Sequence, residues 1–240
     1  MKITAISDLH GDYPELSGGD LLIIAGDCTS NDSVKAWVDF FKWFDLLEYR
    51  SKIYIGGNHD NFLSQCCNNN ECADIIYGPE CEKQEYLRDS GTEFHGIKIW
   101  GSPWSLWFHG INPHCKAFTG KEKDLKKYWD IIPLDTEILI THTPPFGMLD
   151  TIYEWGDPDK KKYAGSKTLA DKLLQLKNLK LHVFGHIHEE YGHCYAAYAE
   201  DHTPLGHLSI NASHMNREYE AVNQPINIEY DKEKGKCTIL

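Results

Sequence analysis

Short apolar runs recur along this 240-residue chain, and most of them end in a residue able to hold a metal ion. The runs are Ile3–Ser7, Leu21–Ala25, Ile53–Ile55, Ile97–Trp100, Ile138–Ile140, Leu181–Phe184 and Leu208–Ile210. Most are continuous in Ile, Leu and Val rather than alternating with polar residues. That is the pattern of strands covered on both faces. Five of the runs lead into polar segments of one kind. These are Asp8 and His10 after the first, Asp27 after the second, and Asn58-His59-Asp60 after the third. His142 follows Ile138–Ile140, and His186 with His188 follows Leu181–Phe184. In layered α/β proteins, ligands bind beyond the carboxyl ends of the strands. Distant parts of the chain are therefore predicted to converge on one site.

Helical patterns fall between these strands, which predicts an α/β class with layered sheets and helices. Asn31 or Asp32 is expected to cap a helix whose apolar stripe carries Val34, Trp37, Val38, Phe41, Phe44 and Leu47. A second helix is expected from Ser166, with Leu169, Leu173, Leu174 and Leu176 at near-helical spacing. Trp104–Trp129 reads as a long connection, and the chain closes on a hairpin, Ile226–Tyr230 and Cys237–Leu240, turning at Lys234-Gly235. No repeat or boundary interrupts residues 1–240, and this length suits one domain.

Charge narrows the partners. The chain carries 24 basic and 36 acidic residues, a net charge of −12. That leaves no basic stripe for long nucleic acid and no polybasic segment for an anionic membrane. No apolar run reaches the length of a membrane span. The N-terminus enters a strand at once, so the expected compartment is the cytoplasm. Eight Cys are too few for a disulfide scaffold of this size. Cys66, Cys67, Cys72 and Cys81 lack paired C-x-x-C spacing and are expected to be reduced thiols. Oligomeric state is not legible.

The candidate ligands form a coherent set. Carboxylate, imidazole and amide donors suit Mn, Fe, Zn or Mg, and no Cys takes part. In Asp8-x-His10 and His186-x-His188, two ligands stand two residues apart, so extended backbone turns them to the same side. Seven ligands exceed what one tetrahedral zinc takes, and they suit two divalent ions sharing a carboxylate. Asp27, from the second strand, is the expected bridge. Two close cations also lower the pKa of a shared water.

Taken in order, Asp8-x-His10, Gly26-Asp27, Gly57-Asn58-His59-Asp60, His142 and Gly185-His186-x-His188 resemble the five blocks of the calcineurin-like metallophosphoesterases. Gly101-Ser102-Pro103-Trp104, Trp129–Pro133, Leu181–Gly192 and Ile210–Ser213 resemble one subfamily, the vertebrate-type metallophosphoesterase domain-containing proteins, and the likeness covers nearly the whole chain. The resemblance implies a four-layer α/β/β/α double β-sandwich and hydrolysis of phosphoesters. For the subfamily it implies action on cyclic nucleotides, 3′,5′ or 2′,3′, usually with Mn. By position, one metal would take Asp8, His10, Asp27 and His188, and the other Asp27, Asn58, His142 and His186. His59 matches the family's non-ligand histidine and would protonate the leaving oxygen or stabilise phosphoryl charge. Asp60 would orient the His59 ring. Some subfamily members have Gly in place of the first His of the Gly-His-x-His block and are nearly inactive. This chain keeps His186, so an active enzyme is expected.

The expected reaction is in-line attack on phosphorus by a metal-bridged hydroxide, with a small phosphodiester or nucleotide as substrate. Trp104 and His214 are candidate substrate contacts, through base stacking and from a matched strand end. A phosphomonoesterase or protein phosphatase is the alternative hydrolase. It is disfavoured because no Arg adjoins Asn58-His59 or His142. A non-catalytic nucleotide-binding or scaffold protein is the alternative of another class, and no ligand loss supports it.

Overall fold

The computed structural model describes residues 1–66, 84–107, 115–154, 157–198 and 204–240. Cys67, Cys72, Cys81, His109 and His114 lie outside the described residues, as does the side chain of Cys66.

Two six-stranded mixed sheets face each other. The first is built from β1 (Lys2–Ile6), β2 (Gly19–Ile24), β3 (Tyr49–Tyr54), β4 (Gln84–Tyr86), β15 (Ile226–Asp231) and β16 (Lys236–Ile239). Its order is β16-β15-β1-β2-β3-β4, with β1 to β4 parallel and the C-terminal hairpin antiparallel at one edge. The second contains β5 (Ser90–Phe94), β6 (Ile97–Ser102), β9 (Ile138–Thr141), β12 (Leu181–Phe184), β13 (Gly192–Tyr198) and β14 (Pro204–Asn211). Its order is β13-β14-β12-β9-β6-β5, with four parallel central strands and an antiparallel strand at each edge.

The continuous apolar runs follow from this layering. Along β2, Leu21 and Ile23 face the other sheet, while Leu22 and Ile24 face a helix. Along β9, Ile138 and Ile140 face the first sheet and Leu139 the outer helices. The inter-sheet core joins Ile3, Ile23 and Ile53 to Ile99, Ile140 and Val183. Outside the first sheet lie α1 (Val34–Leu46) and α2 (Asn61–Cys66); outside the second lie α3 (Glu122–Asp130) and α4 (Lys167–Leu173). The expected four layers are therefore present.

Some local expectations change. The cap of α1 is Ser33, whose side chain accepts from the Ala36 N–H, and not Asn31 or Asp32. Asp32 sits at φ +57° and turns its carboxylate to the Trp37 indole N–H and the Phe62 N–H instead. The buried stripe of α1 is Trp37, Phe40 and Phe44, with Val34 and Val38 exposed. Ser166 caps α4 as expected, through the Leu169 N–H, but Leu174 is exposed. The connection after Trp104 contains α3 and a parallel pair, β7 (Ser105–Leu106) and β8 (Thr119–Gly120). A hairpin, β10 (Thr151–Glu154) and β11 (Asp157–Tyr163), gave no sequence signal. No helix among the described residues is long and apolar enough to cross a membrane.

Candidate metal centre

All five ligand-bearing segments leave the carboxyl ends of parallel strands, three from the first sheet and two from the second. The sheets are tied together at this end. The Ser7 N–H donates to the Ala212 carbonyl and the His214 N–H to the Ser7 carbonyl, while within the second sheet the Gly185 N–H donates to the His142 carbonyl. The backbone must bend sharply there. Asp8, His10, Asp27 and His186 have φ values of 52°, 44°, 52° and 72°. Left-handed backbone is costly for residues with a Cβ and concentrates at functional sites. Gly26, at φ +99°, precedes Asp27, and a Cβ there would lie 2.6 Å from His142 Nδ1. A Cβ on Gly185 would overlap the Asp8 carboxylate. These glycines let two sheets approach closely enough to share one floor.

Asp27 is the centre of that floor. Its Oδ2 lies 3.3 Å from His142 Nε2, 3.7 Å from His10 Nε2 and 3.9 Å from His59 Nε2. Its Oδ1 accepts the His59 N–H at 2.8 Å. Asp8 Oδ1 lies 3.4 Å from His188 Nε2, and both Asp8 oxygens accept from the His186 N–H. His10 and His188 bring their Nε2 atoms to 3.4 Å, and Asn58 Oδ1 lies 2.9 Å from His142 Nε2. The rings of His142 and His186 meet edge to face at 5.0 Å.

This donor set fits divalent metal. Asp8, His10 and His188 form one group able to hold an ion, Asp8, Asp27 and His142 form another, and His10, Asp27 and His59 a third. Asp27 belongs to two of these groups, as do Asp8 and His10, and His186 belongs to none. Two rings are fixed from behind, as second-shell partners fix metal-binding imidazoles. His142 Nδ1 donates to the Ala25 carbonyl at 2.9 Å and His188 Nδ1 to the Asn216 carbonyl at 3.1 Å. Each then turns Nε2 inward.

Without metal, protons balance the buried charge. Against the cost of burial, the Asp27 carboxylate raises His142 to about 9. Against burial too, Asp8 raises His188. Asp8 and Asp27 are held well below the usual carboxylate range although burial opposes this, by His188 and His142 respectively. Burial pushes His10 down to about 4 and His186 to about 3, so both rings are neutral and ready to ligate.

Three expectations need correction. Asp60 does not orient the His59 ring. It is wholly buried, and its carboxylate accepts from the Gly57 N–H at 2.7 Å and the Cys28 N–H at 3.2 Å, clamping the loops after β3 and β2 together. Burial, with Asp27 nearby, pushes its carboxyl well up. The atom beside His59 Nδ1 is Cys115 Sγ, at 3.2 Å. Trp104 does not line the cleft. It stacks on Tyr128 at 3.7 Å and donates its indole N–H to Asp89. Nor does His214, whose ring bridges Asp12 and the Asn223 carbonyl. The cleft above the floor is lined instead by Trp107, Cys115, Tyr153, Arg217 and Tyr219. None of these sits beside a ligand in sequence, and only the general aromatic richness near Trp104 hinted at them.

Comparison with known proteins agrees with this geometry. The calcineurin-like phosphoesterase family profile matches residues 1–190. Human and mouse metallophosphoesterase domain-containing protein 1 are each 33% identical over 253 residues, covering 95% of this chain and 70% of theirs. Among solved structures, TT1561 of Thermus thermophilus superposes with a TM-score of 0.59 at 14% identity, covering 99% of this chain and 97% of its own. That likeness concerns the fold alone. The family match, the order of the five blocks and their convergence on one carboxylate floor lead to one conclusion: the chain belongs to the calcineurin-like phosphoesterases and is a binuclear metal-dependent hydrolase.

Proposed function

We propose that this hydrolase cleaves small phosphodiesters, with cyclic nucleotides as the leading substrates, 3′,5′ or 2′,3′. The observation that carries the reading is the cleft. It has a volume of roughly 270 Å³, a floor of Asp27, Asn58, His186 and His188, and a rim of Trp107, Tyr153, Tyr219 and Arg217. A negatively charged floor loaded with divalent ions reverses the local sign inside an acidic chain. Aromatic walls suit a planar base. The space suits a small ester rather than a polymer, and the substrate is neither long nucleic acid nor membrane.

One ion would be held by Asp8, His10, Asp27 and His188, the other by Asp27, Asn58, His142 and His186, with Mn favoured and Fe, Zn or Mg accommodated by the same donors. Bound there, the pair supplies an activated water and neutralises the phosphoryl oxygens. His59 hands a proton to the departing ribose oxygen. Its Nε2 is turned toward Asp27 and the cleft, and its Nδ1 toward Cys115. A thiol can donate to a neutral imidazole or accept from a charged one, so Cys115 holds the ring in one orientation through both states. In a cyclic diester the leaving oxygen stays attached, and a nucleoside monophosphate results. Nothing favours the protein-phosphatase alternative, and the intact ligand set argues against a non-catalytic role. The cytoplasm is the proposed compartment.

The test is a turnover panel with added Mn, comparing cyclic nucleotides, bis(4-nitrophenyl) phosphate, nucleoside monophosphates and phosphopeptides. Diesters are expected to be turned over. Turnover of monoesters with no diester cleaved would refute the reading. His59→Ala should retain metal and slow ribose-ester cleavage by roughly 10²–10⁴-fold.

A further inference from the structure

Tyr219 combines two features that sit poorly together in a residue with only a packing role. Its backbone has φ +60°, a left-handed conformation disfavoured for a large side chain. The residue is nevertheless 56% exposed and lies outside the hydrophobic core, so core burial does not offset the strain. A strained backbone that persists must be held by its surroundings.

The holding groups can be named. Asn216 Oδ1 accepts from the Glu218 N–H at 3.0 Å and the Glu220 N–H at 2.8 Å, and the Tyr219 N–H donates to the Asn216 carbonyl at 3.0 Å. Asn216 Nδ2 donates to the Glu220 carboxylate, and Met215 bridges Ala221 across the loop. The same Asn216 carbonyl accepts from His188 Nδ1. One residue therefore fixes both a candidate metal ligand and the turn that carries Tyr219.

That turn sets the ring over the floor. Its centroid lies 4.8 Å from His188, 5.0 Å from His10 and 6.4 Å from His59. An ester whose phosphorus reaches these imidazoles brings a substituent against Tyr219. His59, the proposed proton donor, borders the same ring, so this is the side on which the sugar oxygen departs. Aromatic rings stack on planar bases with useful strength and little sequence preference.

We propose that Tyr219 is a specificity-determining residue whose ring receives the nucleoside part of the substrate. The inference rests on the nucleotide reading above and assigns that reading a recognition group. A residue kept for substrate, at the expense of backbone strain, has a signature that a structural residue lacks. Replacing it with a side chain tolerant of positive φ should weaken nucleoside binding without weakening the fold.

The experiment uses the Mn-loaded protein, with a non-hydrolysable phosphonate analogue of adenosine 5′-monophosphate and inorganic phosphate as calorimetric probes. Tyr219→Asn should weaken the nucleotide about 5- to 10-fold and phosphate by no more than about twofold. Its Tm should equal or exceed that of the wild type, because Asn accepts left-handed backbone. Tyr219→Phe, which keeps the ring, should hold the nucleotide within about twofold of wild type. Equal weakening of both probes, or an unchanged nucleotide affinity in Tyr219→Asn, overturns the inference. So does a fall in Tm of more than about 3 °C, or wild-type protein that binds the nucleotide no tighter than phosphate. Failure of the diesterase reading is separate. It would show as monoester turnover alone, while the two binding probes still decide Tyr219.

Discussion

The floor of the site and its rim are built by different means. The floor residues leave the ends of buried parallel strands, and Asp8, Asp27, His142 and His188 are themselves buried. Their positions follow from the register of two sheets, held by inter-strand bonds and by glycines that admit no side chain. The rim residues ride on irregular turns and the short pairs β7–β8 and β10–β11. Arg217 and Tyr219 come from one loop, Tyr153 from a hairpin with a register shift, and Cys115 from a segment tied to the third ligand loop through the Ala117 N–H to the Asn58 carbonyl. A rigid floor suits chemistry that needs fixed charge, and a rim of loops can vary with the ester. Damage to the floor should abolish the reaction; damage to the rim should only retune it.

The largest effect is expected at the centre of the floor. Asp27→Ala removes the carboxylate facing His10, His59 and His142. Loss of a second-shell partner costs roughly 10–100-fold in metal affinity, and loss of this ligand should cost more. Metal analysis of the purified variant should show under-occupancy together with lost turnover. Full occupancy would mean that Asp27 is not the bridge. Acid should act on the same floor. His142, raised to about 9, must release its proton before it ligates, so metal affinity should fall as pH drops from 9 toward 6.5. At least one proton released per binding event, with His188 adding to it where that ring is charged too, predicts a loss of about tenfold or more per pH unit. Calorimetry in buffers of different ionisation heat counts those protons; a pH-independent affinity would leave His142 without a part in binding.

The same division separates what was legible in the sequence from what was not. Asp8, His10, Asp27 and His186 could be found because each follows a short run of Ile, Leu and Val, and a strand buried on both faces announces itself locally. The sandwich was legible for the same reason, through runs such as Leu21–Ala25. Asp60 was misread because its neighbour His59 is close in sequence, whereas its hydrogen-bond partners, the Gly57 and Cys28 amides, are set by how two loops pack. Trp104 was misread because aromatic content does not reveal which way a ring turns. Tyr219 carried no signal at all, since its place over three imidazoles depends on Asn216 and on a left-handed turn that composition does not mark.

A smaller effect belongs to the rim. Arg217 lines the cleft, with its guanidinium 5.9 Å from the Tyr153 ring. As a cation beside an anionic substrate it should aid capture rather than bond breaking, and salt should screen its contribution. Arg217→Ala should raise KM for a phosphodiester by about 3- to 10-fold at low ionic strength, with kcat within about twofold. Steady-state kinetics at two salt concentrations check this. A loss of kcat with KM unchanged would move Arg217 from the rim to the reacting phosphate.

The smallest effect on turnover is expected where the sequence pointed to the rim and the structure points to packing. Trp104 stacks on Tyr128 with an interplanar angle of 15°, meets Phe118 edge to face, and donates its indole N–H to Asp89 Oδ2 at 2.8 Å. Asp89 is desolvated, and burial raises its carboxyl although the Ser102 hydroxyl also donates to it. Trp104→Phe keeps an aromatic body but withdraws one of those donors. A half-buried acceptor left short of a partner costs about 1 kcal/mol, the low end of the range for buried groups, which denaturant unfolding resolves as a lower midpoint. Because Trp104 is absent from the cleft lining, kcat and KM for a cyclic nucleotide should stay within about twofold of wild type. A raised KM at unchanged stability would return Trp104 to the substrate wall. The expected reverse, a softer fold with an intact reaction, would place the boundary between core and rim at the Trp104–Asp89 contact.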